Sequence, residues 1–162
     1  MPTRTARSGW LRWLALDGSP HRPAVTAATL VASALTIASG AIHLHLYTAG
    51  YRAIPTIGSL FIVQGVAAIV VSLVASALRR VWTALLGAGL MVGTVAGFLI
   101  SVNDGLFGFQ DTFRGTNQIS AFVVELAASA LFLVAAAVAV AGGFRPASPV
   151  TPLGVDPGGR SE

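Results

Sequence analysis

IGSLFIVQGVAAIVVSLVASALRRVWTALLGAGLMVGTVAGFLISV, residues 57–102, decides the fold. Two apolar runs flank a bare Arg79-Arg80 pair, Ile57 to Leu78 on one side and Val81 to Val102 on the other. About 20 apolar residues in a helix cross the hydrocarbon core of a bilayer. Each run is long enough, and a connection this short forces the two helices antiparallel. Soluble amphipathic helices would show a charged face every turn, and these do not. The same pattern extends outward. A third run covers roughly 24–46 and a fourth roughly 119–141. The expected fold is all-α, a four-transmembrane-helix bundle with spans near 24–46, 57–78, 81–102 and 119–141.

Composition agrees. Of 162 residues, 54% are hydrophobic and 10% charged, with a mean hydropathy of +0.77, against roughly a quarter charged in an ordinary soluble domain. The absence of cysteine removes disulfides, thiolate catalysis and iron–sulfur clusters. Every basic side chain is arginine. The net charge of +4 does not point to nucleic acid, because the arginines flank the apolar runs and form no basic stripe.

Arginine placement sets the expected topology. Arg4, Arg7, Arg12 and Arg22 precede the first run, Arg79 and Arg80 join the second and third, and Arg145 follows the fourth. The other two loops hold only Arg52 and Arg114. By the positive-inside rule both termini are expected in the cytoplasm, in a bacterial plasma membrane, with the longer loops outside. Residues 1–22 form a cytoplasmic segment in which Trp10, Trp13 and Leu14 share a face, as a short interfacial helix would place them. Residues 23–143 are the membrane domain. The Pro-, Gly- and Ser-rich stretch 144–162 reads as a disordered cytoplasmic tail.

Few polar residues interrupt the apolar runs, and those carry any chemistry. Glu125, in SAFVVELAASA, is the only acidic side chain within a span. An ionised carboxylate facing lipid there costs several kcal/mol, so it must face the bundle, be paired, or be protonated. Gln64, in LFIVQGVA, is expected at similar depth, as an interhelical hydrogen-bond former or a ligand contact. The stretch AIHLHLYTAGYRAIPTIG, residues 41–58, adds His43, His45, Tyr47, Tyr51 and Arg52. Residues two apart on a helix point about 200° apart, so both histidines cannot serve one site. His43 is expected to face Glu125 and Gln64, with Tyr47 on its face one turn on. A His43–Glu125 pair could relay protons or hold a metal, given a third ligand from Asp104 or Asp111. A bis-histidine haem lacks a facing second histidine, since His21 lies on the other side.

Gly89, Gly93 and Gly97 recur every four residues, a small-xxx-small row at which helices pack closely in lipid. The expected partner is a helix of the same bundle, with a homodimer as the alternative. In the loops, Arg52, Asp104, Asp111 and Arg114 are expected to lock the outer connections together, or Arg52 to hold an anionic ligand. Phe107, Phe109 and Phe113 are expected to lie as a lid over the helix ends.

HLHLYTAGYRAIPTIGSLFIVQ followed by GLFGFQD resembles functionally uncharacterised small four-helix integral membrane proteins of actinobacteria, across nearly the whole hydrophobic region. In helix number and size the chain is also similar to DoxX-like membrane proteins, by architecture alone. The resemblance implies a four-helix membrane fold and transfers no chemistry. No phosphate-binding loop, nucleophile elbow or zinc-protease motif is present. The reading is a non-enzymatic accessory protein or a small-ligand, ion or proton-handling protein with a buried polar cluster near the outer face. The alternative is a membrane oxidoreductase component with a quinone or metal site at His43 and Glu125.

Overall fold

The structure is a computed structural model describing residues 23–143; the expected interfacial helix and the expected disordered tail lie outside the described residues. Four helices follow in order: α1 (Pro23–Ala49), α2 (Ile57–Leu78), α3 (Val81–Asn103) and α4 (Thr116–Gly143). A single 3-10 turn, Tyr51–Ala53, lies between α1 and α2. Each helix is long and apolar enough to cross a membrane. The second span falls on the expected residues. The others are longer, because hydropathy alone misses polar end turns such as Thr116–Gln118 and Tyr47–Ala49.

The helices form a ring in chain order, with α1 packed on both α2 and α4, and α3 on α4. The α2–α3 seam is the loosest of the four, although the shortest connection joins these two helices. That connection is tight for local reasons. Arg79 adopts the left-handed conformation (φ 48°, ψ 41°), and its N–H donates to the Ala75 carbonyl. The Arg80 N–H donates to Thr83 Oγ1 (3.2 Å), and the Thr83 hydroxyl donates to the Arg80 carbonyl (2.7 Å), fixing the start of α3. With four antiparallel neighbours, Pro23 and Gly143 lie at this dibasic end and the two longer loops at the other.

Two seams are closed by glycine. Gly40 of α1 meets Gly65 and Ala68 of α2 so closely that a Cβ there would lie 3.0 Å from the Gly65 carbonyl oxygen. Across α3–α4, Gly87 accommodates the fully buried ring of Phe132. The core around Phe132 is otherwise small: Ala32, Ala75, Val81, Ala84, Ala88 and Ala136.

The row Gly89, Gly93, Gly97 behaves differently from the packing expectation. A Cβ built at any of the three meets nothing within 4 Å. Among the described residues no helix packs on the row. Its neighbour along that face would be α2, and the α2–α3 seam is the loose one.

The buried face of α1 is polar. Thr29, Ser33, Thr36, Ser39 and His43 all lie within it, at helical spacings of four, three, three and four. Thr29 donates to the Val25 carbonyl (2.9 Å), whereas the side-chain oxygens of Ser33 and Thr36, and of Ser72 on α2, are buried without a hydrogen-bond partner. Replacing an unsatisfied buried hydroxyl by a methyl of the same shape is neutral or stabilising. Thr36→Val should therefore leave the melting temperature in detergent unchanged or raise it, by up to about 1 kcal/mol of stability. A clear drop would show that the hydroxyl has a partner.

Candidate ligand-binding site

Where α2 and α3 fail to close, a cavity of about 370 Å³ opens. Leu60 and Val63 of α2, with Gly89 and Gly93 of α3, both line it and lie on the exposed surface of the bundle. Its mouth therefore faces the surroundings of the helices, which for a spanning bundle is lipid.

Three of the polar residues singled out within the apolar runs line this cavity: His43, Gln64 and Glu125. On α1, α2 and α4 each is the cavity-lining residue nearest the dibasic end. Together they form its floor. Counted from the Arg79–Arg80 turn, Gln64 stands level with Val95, and Gly89 lies about 9 Å nearer the turn. The glycine row thus carries a groove past the polar floor toward the membrane centre. Glu125 lies nine residues into α4, about 13 Å along its axis.

Glu125 is 2% exposed. Ser39 Oγ donates to its Oε1 (2.7 Å), and His43 Nδ1 lies 3.8 Å from the same oxygen. His43 Nδ1 also makes a 2.9 Å contact with the Ser39 carbonyl. A carbonyl only accepts, so the neutral ring carries its proton on Nδ1 and leaves Nε2 as an acceptor. Ser39 thus holds both groups, the carboxyl through its hydroxyl and the imidazole through its backbone. Gln64 Nε2 is buried and makes no hydrogen bond. A primary amide with an idle donor at a cavity wall is available to a ligand acceptor.

The other end of the cavity is built by the loops. Tyr51 stacks on Phe61 (4.6 Å between centroids) and meets Phe109 edge-on (5.7 Å). The Tyr51 hydroxyl donates to Asp111 Oδ2 (3.1 Å) and accepts from Gln118 Nε2 (3.0 Å). Leu106 to Phe109 form a two-residue hairpin, with Phe107 and Gly108 at positive φ and paired backbone bonds of 2.7 and 2.9 Å. Leu106, Phe109 and Asp111 cover the cavity's loop end. Of the expected aromatic lid, only Phe109 lines the cavity; Phe107 is 67% exposed, and Phe113 packs against Phe98 and Phe122.

Two of the other expected residues lie elsewhere. Tyr47 does not line the cavity, and Arg52 is exposed and outside it. The lock between the outer loops is made by Tyr51, Asp111 and Gln118; among the described residues no ion pair joins Arg52, Asp104, Asp111 and Arg114. The short, rigid phenol reaches the partly buried Asp111 from an aromatic stack, whereas Arg52 turns to solvent one residue on. Gly58 lets this turn seat on α2, since a Cβ there would lie 3.0 Å from the Tyr51 carbonyl oxygen. For a metal, no group of three His, Cys, Asp or Glu side chains occurs among the described residues, so the third ligand is not gathered around His43 and Glu125. Ser39 and Gln118 were not foreseen. Ser39 could have been found from the three-and-four spacing of hydroxyls leading to His43.

Burial raises the Tyr51 phenol pKa above its ordinary value, and Asp111 adds to the rise against the lowering hydrogen bond from Gln118. The neutral phenol is the form the fold favours. Its contribution is complete below the ordinary value of about 10 and is lost as pH rises through the higher folded value. Tyr51→Phe should cost about 1–2 kcal/mol below that range, read as a lower melting temperature, and should flatten the loss of stability seen above it. Equal melting of variant and parent would separate the loops from this lock.

No protein-family model, curated protein or solved structure matches the chain.

Proposed function

We propose that this chain is a multi-pass plasma-membrane protein, both termini cytoplasmic, that binds a small amphiphilic molecule taken from the outer leaflet and performs no chemistry on it. The arginine asymmetry supports the topology: the dibasic turn sits at the end where the described chain begins and finishes. The observation that carries the binding role is the half-open cavity itself. Its wall is apolar along α2 and the glycine row of α3, and its floor concentrates Glu125, His43 and the idle donor of Gln64. A largely apolar pocket with a few convergent polar groups is the usual form of a ligand site, and 370 Å³ lies within the usual size range. The polar head would rest on the floor and the tail along Gly89 and Gly93.

The test uses a neutral amphiphile, radiolabelled decanol, with protein in zwitterionic nanodiscs and empty nanodiscs subtracted. One saturable site is expected. Gly93→Leu should abolish it while the melting temperature is kept, because Gly93 lines the cavity and a Cβ there meets nothing within 4 Å. Binding no greater than in empty discs, or unchanged in Gly93→Leu, would overturn the reading.

A further inference from the structure

The charge and the rings of the cavity wall narrow the ligand class. Two carboxyl groups line it, Glu125 at the floor and Asp111 at the loop end. The four arginines among the described residues, Arg52, Arg79, Arg80 and Arg114, are exposed and absent from the wall. Among the described residues the one group on the wall able to carry positive charge is His43, whose Nδ1–H points at the Ser39 carbonyl and lies 3.8 Å from the Glu125 carboxyl. An anion would meet no guanidinium there and would face the carboxyls of Glu125 and Asp111. A cation would favour the ionised form of the buried Glu125 carboxyl, and in an apolar setting opposite charges attract far more strongly than in water.

Four phenylalanines join those carboxyls on the wall: Phe61, Phe98, Phe109 and Phe122. They stand on α2, on α3, in the loop and on α4, so they surround the space. Phe61 lies 5.0 Å from the His43 ring and Phe98 lies 6.0 Å from Phe122, centroid to centroid. Ring faces attract cations, and aromatic enclosures are a recurring way of holding organic ammonium groups. A small inorganic cation would find too few ligands here, since no cluster of three His, Cys, Asp or Glu groups exists among the described residues. It would also gain nothing from the apolar groove.

Resting on the ligand-binding reading above, we infer that the cavity selects hydrophobic organic cations, with the charged centre held between Glu125 and the phenylalanine rings.

The experiment compares two probes of the same shape and opposite charge, tetraphenylphosphonium and tetraphenylborate, by calorimetry in the zwitterionic nanodiscs. Saturable binding of the phosphonium alone is expected, and Glu125→Gln should weaken it by roughly tenfold or more. The parent comparison needs no variant, so it decides the matter even if Glu125→Gln folds poorly. Equal binding of the two ions, binding of the borate only, or phosphonium binding unaffected in a folded Glu125→Gln would overturn the inference. So would decanol binding without phosphonium binding, which leaves the amphiphile reading standing. Failure of both decanol and phosphonium to bind would remove both.

Discussion

Gly40→Val should lower the stability of the bundle by about 2–3 kcal/mol, the usual cost of overpacking a closed contact. A single Cβ at Gly40 already lies 3.0 Å from the Gly65 carbonyl oxygen and 3.0 Å from Ala68 Cβ. Neither neighbour can yield: one is backbone, and the other is a methyl fixed to a fully buried helix face. A valine therefore pushes α1 and α2 apart and weakens the seam that positions His43 against Phe61. The comparison that gives this result meaning is Gly89→Ala, Gly93→Ala and Gly97→Ala. Those added methyls enter open space, and alanine is the better helix former by about 1 kcal/mol per site. All three should melt at or above the parent temperature in detergent. If Gly40→Val were silent, or the Gly93 variant as damaging, the assignment of closed and open seams would be reversed.

The second large effect is expected at Phe132, which is 0% exposed and is the largest fully buried side chain among the described residues. Its ring fills the space beside Gly87 and ties α4 to α3 within an otherwise alanine-rich core. In a membrane the separated helices keep their side chains in lipid, so little transfer energy is at stake. What Phe132→Ala loses is packing, and the cavity left behind should cost about 2–4 kcal/mol. Gly87→Ala attacks the same contact from the other side, because its Cβ would lie 2.5 Å from the ring. Together the two variants should be worth less than the sum of each alone, since alanine at 132 vacates the space that alanine at 87 needs. Strict additivity would mean that the two residues do not share a contact.

Hydropathy and loop charge made the four spans legible, because lipid tolerates so few polar residues that the runs define themselves. The same scarcity made Glu125, Gln64 and His43 visible as candidates. The 200° separation of His43 and His45 correctly sent one of them inward: His43 is buried and His45 exposed. Which seam would open was not legible. A small-xxx-small row reads the same whether a helix packs on it or a groove runs along it. The difference lies in Gly40, Gly65 and Gly87 capturing the close contacts elsewhere. Tyr47 stands apart from the cavity for a simpler reason. It shares a helix face with His43, but one turn further on that face has passed beyond the cavity wall. The loop lock escaped because opposite charges in the sequence drew attention from Tyr51, whose aromatic stack and partly buried hydroxyl depend on tertiary contacts with Phe61 and Phe109.

The central claim is that the gap between α2 and α3 is a ligand site with Glu125 on its floor. Photolabelling with an uncharged, diazirine-bearing long-chain alcohol tests it most directly, with adducts located by mass spectrometry. Saturable adducts are expected on the cavity wall, at Val63, Gln64, Leu90, Phe98 and Glu125, and excess decanol should compete them away. Leu73 and Val134 are as exposed as the mouth of the cavity, at 59% and 54%, but lie outside it. Their labelling should be weak and uncompeted. Adducts spread over Leu73, Val134 and the cavity wall alike, with no competition by decanol, would contradict the account.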